Sequence, residues 1–158
     1  MQKFEKSFFI GAATAAHQVE GNNTNSDYWA QEQLPHSSFT EPSGIACDHY
    51  QRYEEDIKLL ADAGLNAYRF SIEWARVESE EGKFDPEAIE HYRKVIACCK
   101  AHGVEPIVTL LHFTSPKWLI CKGPQRLYNP ITAKTIPHKI RAPVFFLKSS
   151  PITGTKIM

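Results

Sequence analysis

Two junctions in this chain read alike. "ADAGLNAYRF" and "KAHGVEPIVTL" each pass from a helix end through a glycine into an apolar strand, and their glycines, Gly64 and Gly103, stand 39 residues apart. A repeated strand–helix unit with near-continuous apolar strands implies a parallel sheet covered by helices, because parallel neighbours need a crossover connection and bury both faces. A doubly wound sheet is the smaller alternative, but it carries a glycine-rich phosphate loop after its first strand. Here "GAATAAHQVEG" holds no G-x-G-x-x-G. The expected class is therefore α/β, as the N-terminal three β/α units of an incomplete (β/α)8 TIM barrel, since such a barrel needs eight strands and roughly 250 residues.

The units themselves are legible. "FFIGAATAA", residues 8–16, reads as a first strand buried on both faces. The polar stretch after it is too long for a simple connector and is expected to be a functional loop. In "CDHYQRYEEDIKLLADAG" the residues Tyr50, Tyr53, Ile57, Leu60 and Ala61 recur at helical spacing, with Asp48 as N-cap and Gly64 as stop. "NAYRFSI" is a second strand. "DPEAIEHYRKVIACCKAHG" carries Asp85 as N-cap, Pro86 at the first helical position, Gly103 as stop, and an apolar stripe of Ile89, Tyr92, Val95, Ile96 and Cys99. "VEPIVTLLHF" is the third strand. The run "ESEEGK" reads as a solvated loop.

The formal charge of zero hides two halves of opposite sign. Residues 1–105 hold all 18 acidic side chains and 10 of the 18 Lys and Arg, a net −8, whereas residues 106–158 carry the other 8 bases, no acid, and seven of the ten prolines. Cys47, Cys98, Cys99 and Cys121 form no C-x-x-C pair, which suits reduced thiols in a cytoplasmic protein. The start faintly imitates a signal peptide, yet the apolar run is short and Glu5 interrupts the leading segment, so a buried strand is the better reading. No apolar run reaches the roughly 18 residues of a membrane span.

Polar side chains gather where strands end, the face on which barrels place their sites. After strand 1 come His17, Gln18 and Glu20; near strand 2 come Arg69, Glu73 and Trp74; after strand 3 come His112 and Phe113. Amides, imidazoles and guanidinium forks suit sugar hydroxyls or the orientation of a carboxylate. Each also has a plain structural reading. His17 or Gln18 could satisfy loop backbone groups, Arg69 could form an ion pair with Glu73, and His112 could be a hydrogen-bonded core histidine. Trp29, Trp74 and Trp118 read as packing residues.

Taken together, "FFIGAATAAHQVEG", "CDHYQRYEEDIKLLADAGLNAYRFSIEWARVE", "EHYRKVIACCKAHGVEPIVTL" and "HFTSPKWL" resemble the opening of the glycoside hydrolase family 1 enzymes, the β-glucosidase and 6-phospho-β-glucosidase group. The resemblance covers about residues 4–120. It implies a (β/α)8 barrel, retaining hydrolysis of a β-linked glycoside or phosphoglycoside, and no metal or organic cofactor; neither nucleic acid nor membrane is expected as partner, since the basic residues of the tail are not regularly clustered and no apolar run is long enough to span a bilayer. By position it implies that Gln18 and His112 contact the sugar and that Arg69 orients the nucleophilic carboxylate. Phe113 stands beside that histidine where the family has Trp or Phe, and Leu111 departs mildly from the usual His or Tyr.

A retaining glycosidase needs two carboxyl groups about 5–5.5 Å apart. The resemblance places them in an Asn-Glu-Pro and a later Glu-Asn-Gly motif, and neither occurs in the 158 residues. Glu20 and Glu73 hold no catalytic role in the family, and Arg69 beside Glu73 would keep that carboxylate ionised. The catalytic acid/base and nucleophile are thus absent, and the 158-residue chain is expected to be inactive. From "CKGPQRLYNP" onward the likeness fades, so residues 1–120 read as the N-terminal part of a glycosidase barrel and residues 121–158 as a non-matching basic tail, read out of frame or past a misplaced gene end. The competing readings are a weak sugar-binding module and a basic-tailed interaction protein whose tail meets nucleic acid or an acidic surface.

Overall fold

The computed structural model describes residues 8–120, so the basic tail and Cys121 lie outside the described residues. Strand β1 (Gly11–Ala13) leads into a turn of helix, α1 (Ala16–Val19), and a short helix α2 (Asp27–Glu32) follows. Helix α3 (His49–Asp62) crosses to strand β2 (Ala67–Ser71), and the turn α4 (Trp74–Val77) precedes helix α5 (Pro86–Ala101). Strand β3 (Glu105–Thr109) and the turn α6 (Lys117–Ile120) close the described chain. The sheet order is β1-β2-β3, with both pairings parallel: Gly11 faces Ala67, and Arg69 lies between Ala13 and Ile107.

The two crossover helices follow from their sequences. Asp85 has an extended backbone, and its carboxylate accepts from the N–H groups of Glu87 and Ala88 at 2.7 and 3.3 Å, while Pro86 fills the first helical position. The stripe Ile89, Tyr92, Val95, Ile96 and Cys99 is buried throughout. It packs with Ile57 of α3 against Tyr68 and Phe70 of β2, so the core lies between one face of the sheet and α3 and α5. Gly64 and Gly103 stand at φ +82° and +71° after the helix ends, the left-handed conformation that turns the chain into the next strand.

Three expectations are corrected. Strand β1 spans three residues rather than the whole of residues 8–16, and it is not buried on both faces. It is an edge of the described sheet, and Phe8 and Phe9 are 52% and 58% exposed. Asp48 precedes α3 but caps nothing: at φ +55° its side chain makes no bond to the first-turn amides. The stretch "ESEEGK" is only partly solvated, because Glu78 is buried and accepts from the Trp74 indole N–H at 2.7 Å and the Gly82 N–H at 2.8 Å. The long polar loop after β1 contains α2, whose first turn Ser26 caps through a 3.1 Å bond from the Trp29 N–H.

Candidate active site

The residues singled out from sequence lie in β2 and in the segments that follow β1 and β3. Gln18 is exposed on α1, immediately after β1. Arg69 is the exposed position of β2, and its Nε donates to Thr109 Oγ1 of β3 at 2.9 Å. His112 follows β3, its ring 4.6 Å from that of Phe113, which is itself 73% exposed at φ +69°. Burial and then the positive charge of Arg69 push the His112 imidazole below its usual pKa, so Arg69 and His112 share one electrostatic environment. The Nδ1 atom of His112 is buried with no hydrogen-bond partner among the described residues. An unsatisfied ring nitrogen of this kind is costly unless a ligand or water completes it.

Arg69 does not pair with Glu73, which corrects the ion-pair expectation. The Glu73 side chain is wholly buried and turns the other way. Its Oε2 accepts from Asn23 Nδ2 at 2.7 Å and Thr114 Oγ1 at 2.8 Å, and its Oε1 accepts from the Ala75 N–H at 3.1 Å. Burial raises its pKa, and these hydrogen bonds oppose the rise, so no guanidinium holds it ionised. Glu20 is buried as well. Tyr92 donates to its Oε1 at 2.8 Å and Arg76 Nε to its Oε2 at 2.9 Å. Burial outweighs Arg76 and pushes the Glu20 pKa up to about 7. Arg76 also donates to the Gly21 carbonyl and lies 4.1 Å above the Tyr50 ring.

His17 is a framework residue. Asn23 Nδ2 donates to its Nδ1 at 3.2 Å, which leaves Nε2–H to donate to Glu32 at 2.7 Å. The indoles of Trp74 and Trp118 meet edge to face at 5.8 Å, as packing residues should. Sequence reasoning missed Asn23, Arg76 and Thr114, and read Tyr92 only as part of the buried stripe of α5. Each belongs to a contact spanning 41 to 72 residues, which no local spacing signals.

Comparison with known proteins gives the family. The family model described as Glycosyl hydrolase family 1 matches residues 1–129. Beta-glucosidase 11 of Arabidopsis thaliana is 39% identical over 121 residues, which is 73% of this chain and 23% of that protein. Beta-glucosidase A of Acetivibrio thermocellus is 37% identical over 127 residues, 76% of this chain and 28% of that protein. The crystal structure of beta-glycosidase BGL167 is 57% identical with a TM-score of 0.72, covering 73% of this chain and 28% of that one. The chain thus spans about a quarter of the curated relatives it matches. Its three parallel strands and crossover helices are a partial α/β barrel of the kind those glycosidases complete, and the chain belongs to glycosyl hydrolase family 1.

Proposed function

We propose that residues 8–120 form the opening arc of a retaining β-glucosidase barrel, in which Gln18 and His112 contact the hydroxyls of a β-linked glucoside and Arg69 orients the nucleophilic carboxylate. Three observations support this reading: Gln18 and His112 lie in the segments that follow β1 and β3, Arg69 is the exposed residue of the strand between them, and His112 Nδ1 is buried without a hydrogen-bond partner among the described residues. An unphosphorylated glucoside is the favoured substrate because the relatives compared above are beta-glucosidases. The free thiols of Cys47, Cys98 and Cys99 support a reducing, cytoplasmic setting. We read residues 121–158 as a basic tail that leaves the family pattern, the family model itself ending at residue 129. The 158-residue polypeptide holds neither carboxyl motif, so it binds sugar weakly at most and does not cleave it.

The test is a fused barrel in which residues 8–120 replace the matching part of BGL167. It should hydrolyse 4-nitrophenyl β-glucoside and leave the 6-phosphorylated analogue uncleaved. Gln18→Ala or His112→Ala should lower kcat/KM by about a hundredfold, the scale of losing positioned hydrogen bonds to a substrate. Full activity in both variants would remove them from the sugar site, and preference for the phosphorylated analogue would reassign the substrate.

A further inference from the structure

We propose that Glu73 is a positioning residue for sugar binding, its carboxylate tying the loops after β1, β2 and β3 together and so holding Gln18 and His112 at a fixed separation. The inference rests on the glycosidase reading above. Oε2 of Glu73 receives one bond from each neighbouring loop: Asn23 after β1, 50 residues earlier, and Thr114 after β3, 41 residues later. Asn23 also holds His17, the residue before Gln18, while the Thr114 N–H donates to the carbonyl of His112 at 2.9 Å. From the core side, the Tyr92 hydroxyl accepts from the Glu73 N–H at 2.9 Å and donates to Glu20, two residues after Gln18. Every sugar-contact candidate in the flanking loops therefore lies within two residues of a group anchored on Glu73.

Capping α4 does not account for this arrangement. The cap uses only Oε1, through the Ala75 N–H, and a Ser or Asp would supply it without burying a long carboxylate. A fully buried carboxyl without a Lys or Arg partner among the described residues is costly, and the two cross-loop bonds are what its extra length reaches.

The two roles separate by substitution. In Glu73→Gln the amide oxygen can take the Oε2 place and keep both cross-loop bonds, while its NH2 faces the Ala75 N–H and loses the cap. Glu73→Ala loses all three. In the fused barrel, Glu73→Ala should raise amide exchange at residues 17–23 and 112–115 together by about tenfold or more, whereas Glu73→Gln raises it only at residues 75–77. Faster exchange in Glu73→Ala confined to residues 73–77, or equal effects of both substitutions, would overturn the tether. In the fused barrel, Glu73→Ala should raise KM for the glucoside by about tenfold with a smaller change in kcat, and Glu73→Gln should restore it. A fused barrel active but indifferent to Glu73→Ala overturns the positioning role alone. One that is inactive with Glu73 intact overturns the glycosidase reading and this role with it.

Discussion

Glu20 shows how burial and a nearby cation compete at a single residue. Desolvation raises its pKa to about 7 despite the Arg76 guanidinium, whose attraction lowers it. A carboxyl-carbon NMR titration of Glu20 should therefore show a midpoint near 7, and Arg76→Ala should move it higher by removing the larger opposing influence. A midpoint near the ordinary 4.5 would contradict the buried geometry. The sign for stability follows: between about 4.5 and 7 the folded chain holds a proton that the unfolded chain has released. Glu20 therefore makes the fold less stable as pH rises through that window, the reverse of an ordinary salt-bridged carboxylate. Nothing in the sequence announced this, because Tyr92 and Arg76 lie 72 and 56 residues from Glu20. Sequence reasoning could not settle the neighbour of Arg69, because Glu73 lies past the end of β2 as the N-cap of α4, where strand alternation no longer says which way a side chain turns.

At the scale of the element, legibility follows how local the determinants are. Helix α5 was readable in full: its cap, its proline, its buried stripe and its terminal glycine all lie within the segment they define. Helix α3 was readable except at its start. Asp48 has the right chemistry for a cap, but its left-handed backbone turns the carboxylate away from the helix, a fact set by the preceding turn in which the Asp48 N–H bonds the Ile45 carbonyl. The two aspartates should accordingly respond differently. Asp85→Ala should cost about 1 kcal/mol, seen as roughly fivefold faster exchange at Glu87 and Ala88. Asp48→Ala should leave the first turn of α3 nearly unchanged, and an equal loss at both sites would refute the assignment of caps. Strand β1 was misjudged because an apolar run reports what a strand is suited to bury, while its actual burial depends on which neighbours are present.

At the scale of the whole molecule, the described sheet has two outer edges, β1 and β3, and apolar side chains remain open beside them. Phe8, Phe9 and Ile10 run into β1, and Leu111 and Phe113 follow β3. A cavity of about 240 Å³ between β1 and α3 is lined by Ala12, Val19, Ile57 and Leu60, with His49 and Asp56 also on its wall. Unpaired strand edges and contiguous apolar surface promote association. The 158-residue polypeptide made alone should therefore self-associate or melt broadly, and a sharp two-state transition of a soluble monomer would count against that expectation. The fold was legible as a repeat because the strand–helix junctions recur; the exposure of its edges was legible only by counting strands against the eight of a closed barrel. The most direct measurement is steady-state hydrolysis of 4-nitrophenyl β-glucoside by the purified 158-residue polypeptide. If it supplies only the opening arc of a glycosidase barrel, no turnover should rise above that of a Gln18→Ala control. Sustained turnover that the Gln18→Ala substitution abolishes would show that a complete catalytic site resides in this chain and would contradict the account.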